Sequence, residues 1–224
     1  MNFSGESFQI GINKISKQPV EFILSEMSTC IISGISDKAV RNVFLLIINA
    51  ISREFNNSVY IYEKENEISS LYPDCIYVHD PDESNSLISQ IADEFDRRSQ
   101  DYENTNFQRI ILCIDDFLGF YRGISQESAD ILETLTRSGS DFNIYIYIAS
   151  NINDLAFLDT FKSSIKPFEN CLNKGNAIIA GGNIREYSAF NNIHQETDMI
   201  FSELDGCLIH AGKVTSLKFA KAGA

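Results

Sequence analysis

An α/β fold built on a mainly parallel sheet, with antiparallel edge strands, follows from three patterns in this sequence. Short apolar runs rich in Ile, Val and Tyr recur along the first two thirds of the chain. Stretches with helical periodicity separate them, and such alternation implies βαβ crossovers that make the strands parallel and cover both faces of the sheet. The last third changes character, because short strands joined by the turns Gly181-Gly182 and Ala211-Gly212 predict antiparallel edge strands on the same sheet. No repeat and no proline-rich linker divides the chain. Residues 1–224 therefore read as one domain, with a hairpin at about 8–24, a core at about 29–165 and closing strands at about 177–219.

The elements follow in order. Phe8–Ile12 and Val20–Leu24 alternate at period two around the polar residues 13–18, which predicts a β-hairpin. Thr29–Ser33 is the first core strand. From Ala39 to about Phe55, Val40, Val43, Phe44, Ile47, Ile48 and Ile51 recur at helical spacing, and Leu45 and Leu46 widen that apolar face. Ser58–Tyr62 and Cys75–Val78 read as strands, with a charged turn at 63–66. A helix is expected from Ser84 to Arg98 after the turn Asp80-Pro81-Asp82, with Asp93, Glu94, Asp96, Arg97 and Arg98 forming a solvated face. A polar loop at 101–106 leads to Arg109–Asp116, the most hydrophobic strand, which ends in two carboxylates. Glu127–Arg137 reads as a helix, and Ile144–Ala149, Ala177–Ala180, Gly206–His210 and Lys213–Phe219 read as strands.

Composition bounds the function. The chain has 224 residues, 44% of them hydrophobic, enough for a full core. It carries 18 basic and 31 acidic residues for a net charge of −13, which disfavours nucleic acid and anionic lipid as partners. No apolar run approaches the roughly 20 residues that cross a bilayer, so any membrane anchor is expected outside this chain. Cys30, Cys75, Cys113, Cys171 and Cys207 are scattered without a CxxC, the usage of a reducing compartment. His79, His194 and His210 share no ligand spacing, and no metal is expected.

The segment after Gly34 has the outline of a phosphate-binding loop without its reactive groups. A working loop reads G-x-x-x-x-G-K-[ST], with backbone amides and Lys on phosphate and a hydroxyl on Mg²⁺. Counted from Gly34, Ala39 stands for the second glycine, Val40 for the lysine and Arg41 for the hydroxyl. Ser36 or Asp37 can cap the following helix and take the place phosphate would occupy. Lys38 falls too early to replace the missing lysine unless the loop is distorted, and Arg41 has no acceptor for Mg²⁺. Gly34, Asp115–Asp116 and Ser150–Asn151 all end strands, where α/β sheets bind ligands. Asp115 suits a Mg²⁺-holding role, whereas Asp116 is shorter than the Glu that orients water in such sites. The pair reads equally as turn-capping carboxylates. Arg137, before Gly139, is either a cation complementing a helix end or an arginine finger toward a neighbour. No cofactor is expected, with ATP and Mg²⁺ at most weakly bound.

The order of these features over nearly the whole chain resembles the FtsK/SpoIIIE-type ATPases, and most closely the C-terminal ATPase-like domain of type VII secretion motors of the EssC/EccC type. Ile31–Gly34, Ile110–Asp116, Arg137-Ser138-Gly139 before Ile144–Ser150, Ala177–Gly182 and Gly206–Val214 carry it. The resemblance implies a RecA-like P-loop NTPase fold and a module in tandem with preceding ATPase domains of one membrane-anchored motor. It also implies that secreted WXG100-type helical hairpins are recognised through their C-terminal tails, and that Met1 is not the natural start of the protein. The departures at Ala39, Val40 and Arg41 point to a non-hydrolysing module that recognises substrate or regulates the motor. The other reading is a module that hydrolyses ATP only in the assembled multimer.

Overall fold

In the computed structural model, residues 6–53, 57–64, 67–101, 107–190 and 200–222 are described. They form one ten-stranded sheet. Its strands are β1 (Ser7–Asn13), β2 (Pro19–Ile23), β3 (Thr29–Gly34), β4 (Asn57–Tyr62), β5 (Ile76–Val78), β6 (Arg109–Ile114), β7 (Ile144–Asn151), β8 (Ala177–Asn183), β9 (Ile200–His210) and β10 (Lys213–Phe219). Their order is β2-β1-β10-β9-β8-β3-β7-β6-β4-β5. The six strands from β8 to β5 run parallel, and the pairs from β8 to β2 are antiparallel.

Two cores sandwich the sheet. α1 (Asp37–Ile51) buries Val40, Val43, Phe44, Ile47 and Ile48 against one face, with Cys30, Ile32, Tyr147 and Ile178 of the strands. The opposite face is covered by α2 (Pro81–Ser99), α3 (Phe117–Gly123), α4 (Gln126–Ser138), α5 (Ile152–Thr160) and α6 (Lys166–Asn173). The fully buried patterns of β3 and β8 follow from this double cover.

Several expectations are corrected. β8 is no antiparallel edge strand: it pairs in parallel with β3, Ile32 opposite Ile178, inside the sheet. α5 and α6, which the sequence pattern did not reveal, provide the crossover that returns the chain in the same direction. β9 and β10 are antiparallel as expected but interior, because the β1–β2 hairpin pairs outside β10. β2, with Pro19 at its start, forms that edge. α2 begins at Pro81, three residues earlier than read, since Asp80 caps the Glu83 amide and proline suits the first turn. α3 was also missed. It starts because the Asp116 carboxylate accepts from the Gly119 N–H. The supposed solvated face of α2 is only partly so. Arg98 is 3% exposed and donates 2.7 Å to Glu94 and 2.6 Å to the Phe142 carbonyl. The expected loop at 101–106, the turn at 63–66, the end of the first long helix near Phe55 and His194 fall wholly or partly outside the described residues.

Candidate functional site

The parallel strands bring the anticipated residues to one place. Gly34 lies beside Asn151 and Ser33 beside Ser150 across the β3–β7 pair. Asp115 and Asp116 follow the end of β6, two strands from β3. A cleft of about 450 Å³ opens there, lined by Asp37, Lys38, Val40, Arg41, Asp115, Asp116, Ser150 and Asn151. Lys64, Glu67 and Asp154, which the sequence reading had not singled out, complete its wall.

The connection from β3 to α1 is short. Only Ile35 and Ser36 separate the last residue of the strand from Asp37, the first of the helix. No residue from 34 to 41 has a positive φ, so the alternating conformation that makes an amide nest for anions is not formed. The amides are used internally: Ile35 N–H donates to the Ala180 carbonyl, Ala39 N–H to Ser36 Oγ and Val40 N–H to the Ser36 carbonyl. Ser36, not Asp37, is the helix cap. Asp37 accepts a hydrogen bond from Asn151 Nδ2 at 3.2 Å.

The remaining loop residues are also committed. Val40, in the position of the lysine, is 5% exposed and packs into the core, and Ala39 is buried beside it. Arg41 pairs with Glu67 at 2.7 Å. Lys38 is 85% exposed and lies 3.6 Å from Glu203, while Ser36 Oγ donates to the same Glu203 carboxylate. Arg137 is exposed in the last turn of α4, 3.7 Å from Glu133.

The acidic side of the cleft is assembled by helix starts. Asp37 is the first residue of α1, Asp116 caps α3, and Asp154 stands in the first turn of α5, which Asn151 caps. Each carboxylate sits where a helix dipole favours negative charge. Asp154 is nevertheless harder to ionise than an ordinary Asp, because burial and the charges of Asp116 and Asp37 oppose it, with Arg122 as partial compensation. The spacing Asn151-x-x-Asp154 after an apolar strand was the available sign of this helix start. Glu67 and Glu203 come from distant segments, and no local pattern announces them. All five cysteines are reduced and buried. Among the described residues no group of three His, Cys, Asp or Glu side chains is arranged to hold a metal ion, and no helix is long and apolar enough to cross a membrane.

No protein-family model matches the chain, and no curated protein matches it by sequence. Solved structures do resemble it. EssC (ATPases 2 and 3) from Geobacillus thermodenitrificans superposes with a TM-score of 0.83 at 15% identity over 96% of this chain. EccC (ATPases 2 and 3) from Thermomonospora curvata, in complex with a signal sequence peptide, gives 0.75 at 14% identity over 99% of the chain. The pCW3 conjugation coupling protein TcpA, in a monomer form with ATPγS, gives 0.72 at 12% identity over 99% of the chain. This chain spans 41% of the EssC and 41% of the EccC structures and 67% of the TcpA structure. At such identities the likeness concerns architecture, and it extends over 96–99% of the chain: the chain has the α/β fold of these EssC, EccC and TcpA structures.

Proposed function

We propose that this chain is a non-hydrolysing ATPase-fold module of a type VII protein secretion motor, acting in substrate recognition or in regulation of the motor. The observation that carries the reading is the β3–α1 junction. Ser36 caps a helix that begins at Asp37, three residues after Gly34, and Val40 is turned into the core where a phosphate-binding lysine would stand. Phosphoryl transfer depends almost wholly on positioned positive charge and metal. Here Val40 and Arg41 replace the lysine and hydroxyl that would supply them, while Arg41 and Lys38 are drawn to Glu67 and Glu203. ATP with Mg²⁺ is at most a weak ligand.

The motor assignment draws on likeness to EssC and EccC, both described as ATPases 2 and 3, one of them in complex with a signal sequence peptide. By that likeness the partners are the C-terminal tails of WXG100-type substrates and the preceding ATPase modules. The module would stand on the cytoplasmic side of a membrane-anchored protein. Nucleic acid and direct membrane contact are disfavoured by the net charge of −13. Calorimetry with Mg-ATP and with a substrate C-terminal peptide tests the reading. Peptide binding with little or no heat from Mg-ATP is expected, and tight Mg-dependent ATP binding without peptide affinity would sink it.

A second reading, hydrolysis only in the assembled multimer, is favoured by Lys38 at the cleft mouth and by Asp115–Asp116 at the end of β6. It requires that Asp116→Asn lower turnover of the assembled motor. An unchanged rate removes this module from the chemistry.

A further inference from the structure

Carboxylates outnumber cations five to three among the side chains of the cleft. Two of the cations are drawn to carboxylates, Arg41 to Glu67 at 2.7 Å and Lys38 to Glu203 at 3.6 Å, while Lys64 completes the three. Asp37 and Asp154, in the first turns of α1 and α5, and Asp116, the cap of α3, line the cleft from three separate helix starts. Their proximity is felt: after burial, the charges of Asp116 and Asp37 add to the rise in the pKa of Asp154, with Arg122 opposing. A polyphosphate entering here would meet like charge at each helix start that could otherwise hold it.

A second, independent feature lies in the same wall. Ser150 is 5% exposed, lines the cleft, and its hydroxyl oxygen has no hydrogen-bond partner among the described residues. Ser33, its register partner on β3, is fully buried, and its hydroxyl likewise has no partner among the described residues. Buried hydroxyls without partners are uncommon and point to an absent donor or acceptor.

We propose that this cleft receives the guanidinium group of an arginine side chain presented by a partner polypeptide. A space of about 450 Å³ far exceeds one monatomic ion or water, whose share of liquid volume is about 30 Å³. The carboxylates lie on different elements and form no three-residue metal-holding group among the described residues. A planar fork of five N–H donors suits such a set, since it can span two carboxylates and still reach a hydroxyl. An anion site built from helix starts thus becomes a cation site once each start carries its own aspartate. The inference rests on the reading of the cleft as one that no longer takes nucleotide.

The test is amide chemical-shift titration of the ¹⁵N-labelled 224-residue chain. The probe is the blocked tripeptide acetyl-Gly-Arg-Gly-amide, with the uncharged citrulline peptide as its isostere. Arginine-dependent shifts at Ser150, Asn151 and Asp154 are expected, weakening with salt and by about tenfold or more in Asp154→Asn. Asp116→Asn serves as the second variant, because asparagine caps a helix as well as aspartate does and only the charge is lost. Equal shifts with citrulline, or none with arginine, overturn the inference. If Mg-ATP is also inert, the proposed function stands without it. Shifts at the same amides produced by Mg-ATP, with displacement of the peptide, overturn both.

Discussion

A Cβ added at Gly34 would lie 2.9 Å from the Ala180 carbonyl oxygen and 3.0 Å from Cγ2 of Val40. The glycine is therefore needed for the close approach of β8 and α1 to the end of β3, with no appeal to a bound phosphate. Gly34→Ala is expected to cost about 1–3 kcal/mol by overpacking, read as a lower midpoint in urea at unchanged slope. A substitution that left stability untouched would remove the packing explanation. The meaning of the residue was half legible: a glycine after an apolar strand signals a tight turn, but whether the turn opens toward a ligand depends on where the helix begins. Likewise Ser36 and Asp37 were interchangeable as caps in the sequence, and the backbone decided for Ser36. The distinction matters, because it leaves the Asp37 carboxylate facing Asn151 and the cleft.

Among the elements, α2 shows how tertiary contact alters a local pattern. Its charged cluster has the spacing of a solvent-facing surface, yet Arg98 is held between Glu94, the Phe142 carbonyl and the Phe107 ring, 5.1 Å from the guanidinium. Arg98→Ala should destabilise by about 2–3 kcal/mol, less than a fully buried pair because Glu94 remains partly in water. Hydrogen bonds from Arg97, opposed by burial and reinforced by Arg98, hold the Glu94 carboxyl down to about 2. A carboxyl with a depressed folded-state pKa stabilises the native state above its unfolded pKa, near 4.5, and that contribution is lost as pH falls toward about 2. Urea midpoints of wild type and Arg98→Ala should accordingly draw closer through this window, by the share of the Arg98 contribution that passes through Glu94. A gap that did not narrow at all would assign the loss to the Phe142 carbonyl bond and the packing against Phe107 instead. α3, α5 and α6 were not read in advance for a related reason. They are short, and α3 and α5 are started by side chains, Asp116 and Asn151, that also read as strand ends.

For the whole molecule, the two cores on either side of one sheet enclose every thiol. Burial pushes Cys75 up to about 11 and Cys171 and Cys207 to about 12, and it raises Cys30 and Cys113 well above the ordinary thiol value. Because the thiolate is the reactive form, an alkylating reagent at pH 8 should label the native chain only at the rate of its opening. Cys75 should be first, and all five should react at once in denaturant; rapid labelling of Cys207 in buffer would contradict the enclosure of β9. The architecture itself was largely present in the linear pattern. Apolar runs at strand length, separated by helical periodicity, bury their surface in a covered parallel sheet, so the fold class and the gathering of Gly34, Asp115, Asp116 and Ser150 at one edge were determined by the sequence alone. Tertiary structure decided the rest: that β8 lies inside the sheet, that the loop after Gly34 closes on itself, and that Glu67 and Glu203 engage its cations. Those outcomes depend on pairings between segments far apart along the chain, whose energies arise only when packing brings them together.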